Sequence, residues 1–140
     1  MIRGTFAILC LFPLLSFAEE PSCTCAGVSL KDSLKHASSA SVFRVTSVQT
    51  QPASLPNFPD LLHAQVELHH SFTPGLESAR LLVSSVETSS CGLSIQPGDL
   101  VFALRQPNET SESMLMINQC DHSSVVTEED FPWLSQQIQQ

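Results

Sequence analysis

A chain of 140 residues with 14 acidic and 6 basic side chains carries a formal charge of −8. That balance excludes the clustered Lys and Arg that phosphate contacts need, and with them a nucleic-acid or anionic-membrane partner. The length suits one domain with one modest core.

The first eighteen residues read as a secretory signal. Arg3 supplies the positive start, Phe6 to Leu15 the apolar run, and Ser16-Phe17-Ala18 the small residues a signal peptidase reads. The run falls short of the about 20 apolar residues of a membrane span, and no later segment is apolar enough to cross a bilayer. The expected organisation is therefore a signal over 1–18 and a single domain over 19–140, secreted or periplasmic. Ser29 to Ala37 reads as one or two helical turns, with Leu30 and Leu34 four apart. Ser41 to Val48 is rich in β-branched residues and predicts a strand. Three prolines and an asparagine make Gln51 to Asp60 a loop. Leu61 to Phe72 alternates, with Leu62, Ala64, Val66 and Leu68 on one face and His63, Gln65, Glu67 and His69 on the other. Thr73-Pro74-Gly75 is a turn, and Ala79 to Val86 a third strand. Cys91 to Ile95 is short and irregular and ends in the turn Gln96-Pro97-Gly98-Asp99. Leu100 to Leu104 is a fourth strand, Gln106 to Ser113 a polar loop, and Met114 to Asn118 a fifth strand leading to Cys120. Thr127 to Gln139 reads as a closing helix capped by Thr127, with Pro132 as an alternative start. Trp133 is expected to pack that helix on the body. Five short strands with flanking helices predict a mainly β domain, a five-stranded OB-type barrel, closed or partly open.

Beyond the signal, the cysteines are Cys23, Cys25, Cys91 and Cys120. An even number in an exported chain reads as disulfides, and four cysteines allow three pairings. A Cys23–Cys25 bridge would close a very small, strained ring. Two long bridges are expected instead, one cysteine of the pair to Cys91 and the other to Cys120. In an extended segment both sulfurs of the pair face one side.

Five histidines invite a metal hypothesis. His69 and His70 are adjacent in a predicted strand and should face opposite sides. His63 and His69 share a face but lie about 20 Å apart at about 3.3 Å per residue, too far for one ion. His36 and His122 could meet only through the fold. Solvent-facing histidines are expected, and no cofactor. Paired cysteines leave no free thiol nucleophile, and no serine sits in a Gly-x-Ser-x-Gly elbow. Glu128, Glu129 and Asp130 read as a helix start. The chain is expected not to be an enzyme. Asn108-Glu109-Thr110 is a glycosylation sequon in a predicted loop, relevant only in a eukaryote.

Several of these features occur together in one known family. Cys23-Thr24-Cys25, Ser90-Cys91-Gly92-Leu93, Pro97-Gly98-Asp99-Leu100, Cys120-Asp121 and Phe131-Pro132-Trp133-Leu134 follow in that order. In this arrangement the chain resembles the N-terminal, netrin-like domain of the tissue inhibitors of metalloproteinases, over most of Cys23 to Leu134. The resemblance implies an OB-type barrel with Cys23 bridged to Cys91 and Cys25 to Cys120. It also implies a mode of action. The α-amine and carbonyl of Cys23, as the mature N-terminus, would ligate the catalytic zinc of a metalloprotease and displace its water. Thr24 would enter the specificity pocket, with Cys25, Ser89, Ser90 and Cys91 alongside. The partner is then a zinc metalloprotease. The alternative is a non-inhibitory netrin-like module that binds another extracytoplasmic protein or ligand. This chain departs from the family in lacking its usual third disulfide, and the family's cysteine-rich C-terminal domain has no counterpart in these residues. Cleavage after Ala18 would leave Glu19-Glu20-Pro21-Ser22 ahead of Cys23, whereas cleavage after Ser22 would free the amine.

Overall fold

The computed structural model describes residues 23–140, so the signal expected over 1–18 and both cleavage sites lie outside the described residues. Helix α1 spans Leu30–His36. The Ser29 hydroxyl accepts from the Asp32 amide at 3.1 Å and so satisfies one of the donors left free at the helix start. Strands follow at β1 (Ser39–Gln51), β2 (Leu61–Thr73), β3 (Leu81–Ser85), β4 (Leu100–Arg105), β5 (Met114–Met116) and β6 (Ser124–Val126), and the chain closes with helix α2, Phe131–Ile138.

The six strands form one sheet in the order β5-β3-β2-β1-β4-β6. Every pairing is antiparallel except β3 with β5. The domain is thus mainly β with two short helices. The expected five strands are one too few. Ser124–Val126 pairs with Leu100 to Phe102, but three residues are too short for alternation to mark them. Among the described residues no ladder joins β5 to β4 or β6, so the hydrogen-bonded sheet is open rather than closed.

The sheet buries both faces along β1, where Ser39 to Phe43 are all covered. On one side Phe43, Val45, Ala64, Leu82, Val101 and Leu115 belong to a single core that takes inward side chains from the first five strands. On the other, Ala40, Val42, Phe102 and Leu104 pack beneath Leu30 and Leu34 of α1 and Leu134 of α2.

Three register shifts bend the long β1–β2 pair. Val42 pairs with His70 and Phe43 with Leu68, so His69 is the extra residue of a bulge. The expectation that His69 and His70 face opposite sides is corrected by this bulge. Both rings lie against Phe131, with centroids at 6.0 and 5.1 Å. Leu62, Ala64 and Val66 are buried as the alternation requires, whereas Leu68 is exposed.

The closing helix is built in two stages. The Asp130 carboxylate accepts from the Thr127 amide at 2.8 Å and holds a 3₁₀ turn over Glu128–Asp130. The α-helix then begins at Phe131, with Pro132 in its first turn, where a missing N–H costs nothing. Trp133 does not make the expected packing contact. It is 53% exposed, and Leu134, 3% exposed, seats the helix instead. A helix of eight residues on a sheet face presents one narrow stripe, and the side chain after Trp133 is the one that points inward. Among the described residues no helix is long and apolar enough to cross a membrane.

Candidate functional site

The four cysteines meet at one edge of the domain. Cys23 is bridged to Cys91 and Cys25 to Cys120, with Cα atoms 4.9 and 5.3 Å apart. The two bridges are neighbours, and all four sulfurs lie within 4.8 Å of one another. The Cys23 sulfur is 3.6 Å from that of Cys120, and the Cys120 sulfur is 3.5 Å from that of Cys91. Sulfurs this close could hold a soft metal as thiolates, but as disulfides they have no charge to offer. This is the only group of three or more potential metal-binding side chains among the described residues. The five histidines are not brought together.

Each body cysteine is carried by a 3₁₀ turn. Cys91 ends the turn Thr88–Ser90 in a left-handed conformation, φ 61°, and Cys120 sits inside the turn Gln119–Asp121. Gln119 ties the turns together. Its amide donates to the Cys91 carbonyl at 2.8 Å and its side-chain Nε2 to the Gly92 carbonyl at 2.7 Å. Gly92 lets the Cys91 turn lie against the end of β3, because a Cβ there would run into the Ser85 carbonyl oxygen. The second turn is also braced from within. The Asn118 side chain accepts from the Cys120 and Asp121 amides, and the Asp121 carboxylate accepts from Asn118 and Ser123. Burial raises the Asp121 carboxyl above the ordinary aspartate value, outweighing those hydrogen bonds.

The N-terminal arm, residues 23–29, has no regular secondary structure. The bridges hold its start, and the His122 Nε2–H donates to the Val28 carbonyl at 2.8 Å near its end. Thr24 and Cys25 are exposed, as are Thr88, Ser89 and Ser90, while Cys23 and Cys91 are partly covered. The bridge from Cys23 to Cys91 therefore joins two exposed strips, 24–25 and 88–90, into one rigid edge. Such an edge can dock into a cleft with little loss of conformational entropy.

Gln119, Gly92 and Asn118 brace the turns through contacts that no motif in the sequence assigns to them. Only the last has a local signal, since Asn118-Gln119-Cys120-Asp121 has the spacing of a reciprocal cap. A second concave surface lies between α2 and β6. It is an open cleft of about 550 Å³ lined by Leu93, His122, Val125, Trp133 and Leu134 among others. No family model matches the chain, and no curated protein matches it.

Proposed function

We propose that the mature chain is an exported inhibitor of zinc metalloproteases that acts through Cys23. The observation that carries this reading is the edge itself, in which Cys23-Thr24-Cys25 is tied by disulfides beside the exposed Thr88-Ser89-Ser90 turn. With Cys23 as first residue, its α-amine and carbonyl oxygen offer two ligands at the tip of a braced arm. They take the open position of the target's zinc and expel the water it would activate. The Thr24 side chain enters the adjoining pocket, and Ser89 and Ser90 line the same cleft. Strand order supports the OB-type form of the fold. β1 is shared between β2 and β4, β3 pairs in parallel with β5, and one core gathers side chains from all five.

The test compares two forms of the oxidised protein, one beginning at Cys23 and one retaining Glu19 to Ser22. Against a zinc endopeptidase the first should inhibit peptide hydrolysis stoichiometrically. The second should lose inhibition by at least about 100-fold, since an amide nitrogen replaces the amine and metal ligation is worth several kcal/mol. Equal potency of the two forms would remove zinc chelation from the account.

The second reading is a non-inhibitory module that binds an extracytoplasmic protein or ligand, and the cleft beside Trp133 favours it. Its volume of about 550 Å³ falls in the range of ligand sites. Trp133 is the only tryptophan, so occupation of the cleft would change the protein's indole fluorescence. This reading predicts that change whether or not Glu19 to Ser22 are present.

A further inference from the structure

The chain has three asparagines, at 57, 108 and 118, in three different settings. Asn57 precedes Phe58-Pro59 and has no hydroxyl two residues on. Asn118 precedes Gln119-Cys120, but that cysteine is bridged and the Asn118 side-chain oxygen accepts from two amides. Asn108 precedes Glu109-Thr110, a hydroxyl at the position that N-linked transfer requires.

The fold leaves this last site open. Asn108 stands exposed in a turn between β4 and β5, and Thr110 is exposed as well. Neither side chain makes a hydrogen bond among the described residues. Glu109, the intervening residue, does not compete. Its carboxylate is turned back to accept from the Gln106 amide at 2.9 Å, and its own amide donates to the Gln106 carbonyl at 3.1 Å. The turn is therefore held from behind while the carboxamide and hydroxyl project outward.

We propose that Asn108 is an N-glycosylation site, modified in a eukaryotic secretory lumen from a lipid-pyrophosphate-linked oligosaccharide. The Asn108 carboxamide nitrogen forms a bond to the anomeric carbon of the sugar. The bond from that carbon to the pyrophosphate oxygen breaks, lipid pyrophosphate leaves, and the nitrogen gives up one proton. No oxidant or reductant takes part. The proposal does not depend on protease inhibition.

The experiment is secretion of the full chain from a eukaryotic cell line under its own leader. Peptide mapping then follows, before and after treatment with a peptide N-glycosidase. The wild type should carry one N-glycan, and the enzyme should leave aspartate at position 108. Asn108→Gln and Thr110→Ala should lose the glycan, while Thr110→Ser keeps it. Because Asn108 is exposed and unbonded, Asn108→Gln should still be secreted with both disulfides formed. Unmodified Asn108 in the secreted wild type overturns the proposal. So does a glycan that persists in Asn108→Gln, or failure of the leader to deliver the chain at all.

Discussion

Gly92 is a point where a single methyl group decides how closely the Cys91 turn packs on the end of β3. Its space is closed by a backbone oxygen of Ser85, not by a movable side chain. Gly92→Ala must therefore displace β3 or the Cys91 turn, and the Gln119 bond to the Gly92 carbonyl goes with it. A loss of about 1–3 kcal/mol is expected for this overpacking, read as a lower midpoint in chemical denaturation. An unchanged midpoint would mean that the Cys91 turn is not packed on β3 as described. Asp121 gives a second test nearby. Its carboxyl is raised by burial, so the native state binds the proton at higher pH than the unfolded chain does. The contribution of this group therefore improves as pH falls through its native pKa, and the ionised form costs stability above it. Asp32 behaves in the opposite sense. The Ser29 hydroxyl and then Lys35 lower its pKa, so its contribution is present above the ordinary aspartate value and lost as pH falls through the native one. Carboxyl-carbon NMR titration should place the Asp121 midpoint above that of Asp32; the reverse order would contradict both assignments.

At the scale of elements, α2 is held by one side chain more than by its aromatic neighbour. Leu134 is almost wholly buried against Phe102 and Leu104, whereas Trp133 faces the cleft. Leu134→Ala should cost about 2–5 kcal/mol, the usual range for a buried leucine. Trp133→Ala should cost under about 1 kcal/mol, as a largely exposed substitution does. Thermal melts of the two variants check this ordering, and a larger loss for Trp133→Ala would reverse the two roles. Much of this layer was legible in the sequence. Alternation at Leu62, Ala64 and Val66 marked β2, and Thr127 with Pro132 marked the start of the closing segment. What was not legible depends on contacts between distant segments. The bulge at His69 follows from how β1 and β2 curve together, and no local pattern announces which residue will be the extra one. The choice of Leu134 over Trp133 depends on where the helix lands on the sheet. The role of Gln119 depends on two turns 29 residues apart at their cysteines. The cysteines were visible as a disulfide framework because their even number, with the export expected from residues 1–18, constrains chemistry before any folding is considered.

For the whole molecule, the two bridges are not independent. Cys23–Cys91 alone would close a loop of 68 residues and Cys25–Cys120 alone one of 95. By loop-closure entropy each would restrain the unfolded chain by about 4–5 kcal/mol. Once one bridge is in place, however, the other closes only a short ring. That ring runs two residues from Cys23 to Cys25 and 29 from Cys91 to Cys120. The second closure is then worth about 3–4 kcal/mol. Replacing Cys25 and Cys120 with serine should therefore cost about 3–4 kcal/mol, and so should replacing Cys23 and Cys91. Removing all four should cost more than the two losses added, about 8 kcal/mol. Against a net stability of about 5–15 kcal/mol for a small domain, either single-bridge protein should still fold with a lowered midpoint, and the bridge-free chain should be at the edge of unfolding. Equilibrium denaturation of the four proteins measures this. If either single-bridge variant is as unstable as the bridge-free chain, the shared-loop argument fails, because one remaining tether would then restrain nothing.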